Sequence, residues 1–395
     1  MPIQSLAGMR IAAFTQFLMG PAGVQYLADL GADVVKVEPP GTGAWERHWA
    51  GADTFPGGVS AFFLLAHRNV RSLTLNLKSE LGLAAARRLI ATSEVVVENF
   101  RPGVMDRLGL GYEEARELRR DLIYVSASGY GADTSSRHLP GQDLLIQARS
   151  GLAWLAGREG QGPASGGAAI VDQHGAALLA MAVLAAVLHR ERTGEGQRVE
   201  VVMMQAALDL ATEPVVYHLN GSPIRQPRAW IADTFHDAPY GMYPTRDGWV
   251  AISMTTVAKV RSALGDGVGL ASYEDPTLAF SRRDEISETL ARRLRQLPTA
   301  EVVERLQAQG VWCTAVNDLE AALSSPEVAE LDPILEFDHP RAGRVRVLKH
   351  PIRYGAGEPE LRRLPPEVGQ HTDQVLEELG YSSQEIQAMR ASGAI

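Results

Sequence analysis

The pattern of hydrophobic and polar positions in the first two hundred residues alternates short β-rich runs with helical stretches. MRIAAFT (Met9–Thr15), DVVKVE, RSLTLNL (Arg71–Leu77), EVVVENF (Glu94–Phe100) and LIYVSASGYG (Leu122–Gly131) each read as a strand. Between them, GPAGVQYLADLGA (Gly20–Ala32) carries Pro just inside its start and Gly at its end, as a helix does. KSELGLAAARRLIATS is a second helix, and a third lies near Met105. The repeated strand–helix alternation predicts an α/β fold with a mostly parallel sheet and ligands at the carboxyl ends of its strands.

The most apolar run, Gly175–Leu188, falls short of the ~18–20 residues that span a bilayer and reads as a buried helix. RTGEGQ then makes a turn before RVEVVMMQAAL. From about Ala211 the pattern breaks. YHLNGSPIRQPRAWIADTFHDAPYGMYPTRDGW is rich in Pro, Gly, Asp and aromatic residues and predicts loops leading into a smaller domain. There WVAISM is a strand, while SRRDEISETLARRLRQL and TAEVVERLQAQG are amphipathic helices. Phe337–Gly355 returns as extended pieces, and the chain ends in a polar helical tail.

Composition narrows the function. With 395 residues, 45% hydrophobic and 22% charged, the chain suits two folded domains. Its net charge of −9 argues against nucleic acid as a partner. The single cysteine, Cys313, excludes an intramolecular disulfide, suits a reducing compartment and reads as a packed core residue. No export signal opens the sequence, so a cytoplasmic protein with no membrane partner is expected. There is no P-loop, no G-x-S-x-G and no H-E-x-x-H, and TQFLMGPAG stands where a dinucleotide-binding glycine motif would follow the first strand. The scattered histidines predict no metal site. Carboxylates are the leading candidates.

Asp172, in GGAAIVDQHGAALLAM, lies just ahead of the apolar run. It can be a plain helix N-cap or a nucleophile. A helix N-terminus favours a carboxylate by ~0.3–1 kcal/mol, which keeps it ionised, and the adjoining amides could hold an oxyanion. His174 beside it reads as a partly exposed side chain of the first turn.

GADVVKVEPPGTG, NVRSLTLNLKSELG, VVVENFRPGVMDRLGLGYE, LPGQDLLIQARSGLAWLAG, VDQHGAALLAMAVLAAVLHRERTGEGQRVEV and the ending GQHTDQVLEELGYSSQEIQAMRASGAI resemble the class III CoA-transferases, relatives of the α-methylacyl-CoA racemases. The resemblance covers nearly the whole chain and is thinnest between about Ala211 and Pro333. It implies a large Rossmann-like domain, residues 1–210, a small α+β domain, 225–330, and a return segment with C-terminal helices, 331–395. It also implies an interlocked homodimer. By the same resemblance Asp172 is the nucleophile, the substrates are an acyl-CoA and a carboxylic acid, and coenzyme A is a co-substrate with no tightly bound cofactor.

Carried over by position, the coenzyme A contacts fall on Arg47, on Leu75, Asn76, Leu77 and Lys78, on Asn99, Phe100 and Arg101, on Arg107, and on Gln142 and Asp143. Arg101, Arg107 and Lys78 are the natural phosphate donors. Three departures matter. Pro39 replaces an arginine found in formyl-CoA transferase. Gln142 and Pro244 stand where the racemases carry histidine and glutamate, so an α-proton shuttle lacks its titratable groups. Leu18 and ADTFHDAPYGMYP replace a glutamine and a glycine run of formyl-CoA transferase, which makes oxalate doubtful as acceptor. A racemase, or a non-catalytic acyl-CoA-binding protein, remains the alternative at this point.

Overall fold

The β-rich runs become strands, and the one over Val70–Thr74 buries Arg71, Ser72 and Thr74 along with its apolar residues. The strands are β1 (Arg10–Phe14), β2 (Asp33–Glu38), β3 (Val70–Thr74), β4 (Val95–Glu98), β5 (Ile123–Ser128) and β6 (Gln197–Val202). The computed structural model describes residues 2–228 and 230–395. All six strands pair in parallel, in the order β3-β2-β1-β4-β5-β6. This is the doubly wound Rossmann order. Register places Ile11 opposite Val34 on one side and Val95 on the other. The order reverses between β1 and β4, and the carboxyl ends of the strands at such a reversal are where sheets of this kind bind ligands. Strand β6 lies at the edge, and its pattern alternates before Val201.

Helix α1 (Met19–Asp29) follows β1, and α2 (Glu80–Ala91), capped by Ser79, follows β3. Helices α3 (Asp143–Ser150), α4 (Ile170–Thr193) and α5 (Met203–Leu210) come next. Two glycines let α1 and α4 meet closely. A Cβ at Gly23 would stand 2.8 Å from Leu179, and one at Gly175 would stand 2.9 Å from Met19. One face of the sheet is sealed by Phe14, Leu73, Leu89, Val96 and Tyr124 together with Val375 and Leu376 from the C-terminal segment.

The chain separates into two compact units. The first holds residues 1–146, 169–210 and 333–395, and the second holds 147–168 and 211–332. The stretch 147–168, read from the sequence as part of the first domain, therefore clusters with the second unit. In the second unit β7 (Gly241–Pro244), β8 (Trp249–Ile252) and β9 (Cys313–Ala315) form an antiparallel sheet. Helices α6 (Arg283–Leu294) and α7 (Thr299–Ala308) cover it through Leu290, Leu294 and Leu306. Cys313 is half-buried against this cluster, not enclosed in it.

Back in the first unit, β10 (Ile334–His339) and β11 (Gly343–Leu348) form a hairpin. The tail is α8 (Thr372–Glu378) and α9 (Ser383–Ala391), the latter opened by a Ser382–Glu385 capping box.

Helix α4 extends well beyond the apolar run at both ends. By length and composition it could cross a membrane. Val171, Ala176, Leu179, Val183 and Val187 are buried, while Met181, Leu184 and Leu188 on the opposite side are exposed. The expected buried helix is buried along one face.

Candidate active site

Asp172 is the third residue of α4, whose N-cap is Ala169. The cap interaction comes from another element. The Asp143 carboxylate, at the start of α3 and 5% exposed, accepts the main-chain N–H groups of Val171 at 2.8 Å and Asp172 at 3.1 Å. Asp172 is thus not the cap. Its own half-buried carboxyl accepts no hydrogen bond among the described residues. Burial first, and the charge of Asp143 second, push it up to about 7. This reverses the expectation from the helix terminus, because desolvation and a like charge outweigh the ~0.3–1 kcal/mol of the dipole. The amides proposed for an oxyanion are likewise already taken by Asp143.

His174 is half-buried, and its Nε2 lies 2.7 Å from Asp209 Oδ2 on α5. Its ring is therefore oriented by a carboxylate rather than left to solvent.

At the reversal point of the sheet, Asn99 joins the ends of β4 and β1. Its Oδ1 accepts the Gln16 N–H and its Nδ2 donates to the Gln16 carbonyl, both at 2.8 Å. This paired amide contact fixes the loop ahead of α1. The next residue, Phe17, has φ of +62°, uncommon for a bulky side chain. Glu46 holds it there by accepting its N–H at 3.2 Å. Glu46 is itself fully buried with Lys36, whose Nζ donates to Glu46 at 2.7 Å and to the Thr15 carbonyl at 2.6 Å. Burial would raise the Glu46 carboxyl, but the charge of Lys36 and the His67 imidazole hold it well below its ordinary range. Burial lowers His67.

The other positions carried over from the resemblance separate into two kinds. Lys78, Arg101 and Arg107 are exposed at the carboxyl ends of β3 and β4 and make no ion pair among the described residues. Phe100 and Arg101 line a cavity of about 100 Å³ with Tyr124 and Arg198. Leu75 is in the core and its N–H donates to the Glu38 carbonyl, so that donor is already used within the fold. Asn76 receives the chain end, donating its N–H to the Ala394 carbonyl, and Leu77 packs on the core beneath it. Gln142 is exposed.

Arg47 belongs to the second kind. Its fork grips Glu38 at 2.8 and 2.7 Å, its third nitrogen donates to the Pro366 carbonyl, and its guanidinium lies 3.8 Å from the Phe63 ring centre. Burial would raise Glu38, but Arg47, Lys36 and Ser72 bring it below the usual carboxylate range.

Several groups escaped the sequence reading. Glu98, at the end of β4, accepts the Phe100 N–H at 3.0 Å and is pushed up to about 7, chiefly by burial. In the second unit Asp233 lies 2.6 Å from the His236 imidazole, which stacks on Tyr240 at 4.1 Å. Buried Arg283 ties down this loop by donating to the carbonyls of Thr234, His236 and Arg225. The glycine- and proline-rich composition marked the loop, but not these pairs. Pro244 closes β7 and is buried, and Gln142 carries no titratable group. The racemase proton shuttle has no counterpart at these two positions.

Residues 6–372 match the family described as CoA-transferase family III. Succinyl-CoA:glutarate CoA-transferase of Mus musculus is 30% identical, covering 100% of this chain and 91% of that protein. The probable fatty acyl-CoA transferase Rv3272 of Mycobacterium tuberculosis is 33% identical, over 94% and 97% of the two chains. Its orthorhombic crystal structure superposes with a TM-score of 0.80 at 30% identity, covering 94% of this chain and 99% of that one. A CAIB/BAIF family protein from Brucella suis gives 0.79 at 27% identity, over 95% and 99%.

Proposed function

We propose, from the premise that this chain belongs to CoA-transferase family III, that it moves coenzyme A between two carboxylic acids through covalent intermediates on Asp172. The observation that carries the reading is the state of that carboxyl. It stands in the first turn of α4, half-buried, with no hydrogen bond to be broken and with the capping duty assumed by Asp143.

In the proposed sequence the Asp172 carboxylate attacks the thioester carbonyl of the donor. The C–S bond breaks, coenzyme A leaves as thiolate, and a mixed acyl–aspartyl anhydride remains. The thiolate then attacks the aspartyl carbonyl, expelling the donor acid as carboxylate and leaving an aspartyl–CoA thioester. The acceptor carboxylate attacks this thioester, giving a second mixed anhydride and thiolate. Attack of the thiolate on the acceptor's acyl carbon releases the new acyl-CoA and regenerates Asp172. One thioester is exchanged for another, which is consistent with a sequence lacking a nucleotide motif.

Coenzyme A fits the unpaired cations at the strand ends. Lys78, Arg101 and Arg107 supply charge-assisted donors for its phosphates. The interlocked homodimer expected from the resemblance is supported by the exposed stripe Met181, Leu184 and Leu188, an apolar face that a second copy would cover. Light scattering checks this: a dimer is expected, and a monomer refutes it.

Intact-protein mass spectrometry after mixing with succinyl-, acetyl- and formyl-CoA tests the reaction. A coenzyme A-sized adduct, removed by hydroxylamine and missing from Asp172→Ala, is expected. An adduct persisting in that variant rejects Asp172 as the nucleophile.

A further inference from the structure

Four aromatic rings form a continuous ladder in the first unit. Phe17 lies 4.7 Å from Trp45, Trp45 stacks on Trp49 at 5.5 Å, and Trp49 meets Phe62 edge-on at 4.9 Å. Phe17, Trp45 and Trp49 are each 44–45% exposed. Large rings gathered in contact and left open are unusual for a surface that binds nothing.

Both ends of the ladder abut the candidate nucleophile's surroundings. Phe62 packs in a cluster with Leu18, Ala22, Ala169 and Ala176. Ala169 and Ala176 precede and follow Asp172 by three and four residues, so the three share one face of the start of α4. At the other end Phe17 immediately precedes Leu18 of the same cluster. Its left-handed backbone is held by the buried Glu46 and by the neighbouring Asn99–Gln16 pair. A strained aromatic residue kept in place by a buried ion pair points to use at a site.

The charges in the same walls are spent. Lys36 is paired with Glu46, Arg47 is paired with Glu38, and the His48 ring bonds the Thr42 carbonyl. The ladder therefore offers faces and edges of rings and, among the described residues named in its walls, no unpaired arginine or lysine for a second carboxylate.

We infer that the Phe17–Trp45–Trp49–Phe62 ladder seats the carbon skeleton of the acid that gives up or receives coenzyme A, and that the favoured substrates are apolar acyl groups rather than short dicarboxylates. The inference rests on the transferase reading and adds the substrate class. An aryl ring and an alkyl chain share this chemistry, since either gains by leaving water for an aromatic wall.

The test compares phenylacetyl-CoA, octanoyl-CoA and succinyl-CoA as donors, reading both kcat/KM and the hydroxylamine-sensitive adduct, in wild type and in Trp45→Ala and Trp49→Ala. At least one apolar donor should exceed succinyl-CoA by about tenfold or more in kcat/KM, and each variant should cut that preference by about tenfold. The better of the two apolar donors tells aryl from alkyl. Equal or better use of succinyl-CoA by wild type, with the adduct still formed, overturns the ladder while leaving the transferase reading intact. A uniform loss for all three donors places the rings against coenzyme A itself and also overturns it. So does loss of the dimer with the preference unchanged. No adduct from any donor removes the transferase reading and this inference with it.

Discussion

Asp143 accepts the main-chain N–H of Asp172 at 3.1 Å while its charge, together with burial, drives the Asp172 carboxyl up to about 7. One carboxylate thus orders the start of α4 and destabilises the charge of its neighbour. The cap and the candidate nucleophile are thus two different residues, and the charge of the first bears on the ionisation of the second.

The pH dependence of adduct formation follows from this pair. Asp172 must be ionised to attack, and its carboxyl sits near 7, so the rate should rise with pH through about 7 instead of levelling off near pH 5. Asp143→Asn keeps an acceptor for the two amides but removes the charge. Its profile should move to lower pH, and an unmoved midpoint in stopped-flow or quench experiments would show that Asp143 does not act on Asp172.

Stability should move in the opposite sense. A carboxyl whose folded pKa is raised binds more protons in the folded than in the unfolded state between about 4 and 7, so stability falls as pH rises through that window. Asp172→Asn removes the penalty and should stabilise the protein by about 1 kcal/mol or more at pH 8, discounted for the partial exposure of the group. The gain should shrink toward pH 4. Thermal melts at the two pH values decide it.

The basic residues should divide by kinetics and by melting. Lys78→Ala, Arg101→Ala and Arg107→Ala should each raise KM for the acyl-CoA by about tenfold, the scale of one lost charge-assisted contact, with melting temperature little changed. Arg47→Ala strands the buried Glu38 and should cost about 3 kcal/mol or more of stability. A normal melting temperature for Arg47→Ala, with KM raised, would make Arg47 a phosphate ligand instead.

Glu46→Gln tests the device that holds Phe17. It leaves Lys36 buried without its counter-ion and should lose about 3–5 kcal/mol in urea unfolding. Asn99→Asp is the milder probe. It keeps the acceptor for Gln16 N–H but loses the donor to the Gln16 carbonyl, and should lower kcat/KM more than it lowers stability.

The sequence by itself determined the sheet and the chain's family. The runs ending at Phe14 and Glu98 are apolar in consecutive residues, as strands buried on both faces commonly are, whereas the strand ending at Thr74 buries Arg71 and Ser72 and is marked in the sequence by the strand–helix alternation instead. It also singled out Asp172 and the cations Lys78, Arg101 and Arg107, because motif spacing survives as sequence. The first excursion of the chain into the second unit, residues 147–168, carries no such local mark. Tertiary structure alone decided which carboxylate caps α4, since Asp143 reaches it from 28 residues away. It also decided that Arg47 is bound to Glu38, and that four aromatic residues scattered between positions 17 and 62 stand in one ladder. The physical reason is common to all three. Periodicity and propensity act between residues near in the chain, whereas burial, pairing and the charge state of a carboxyl depend on groups that only folding brings within a few ångströms.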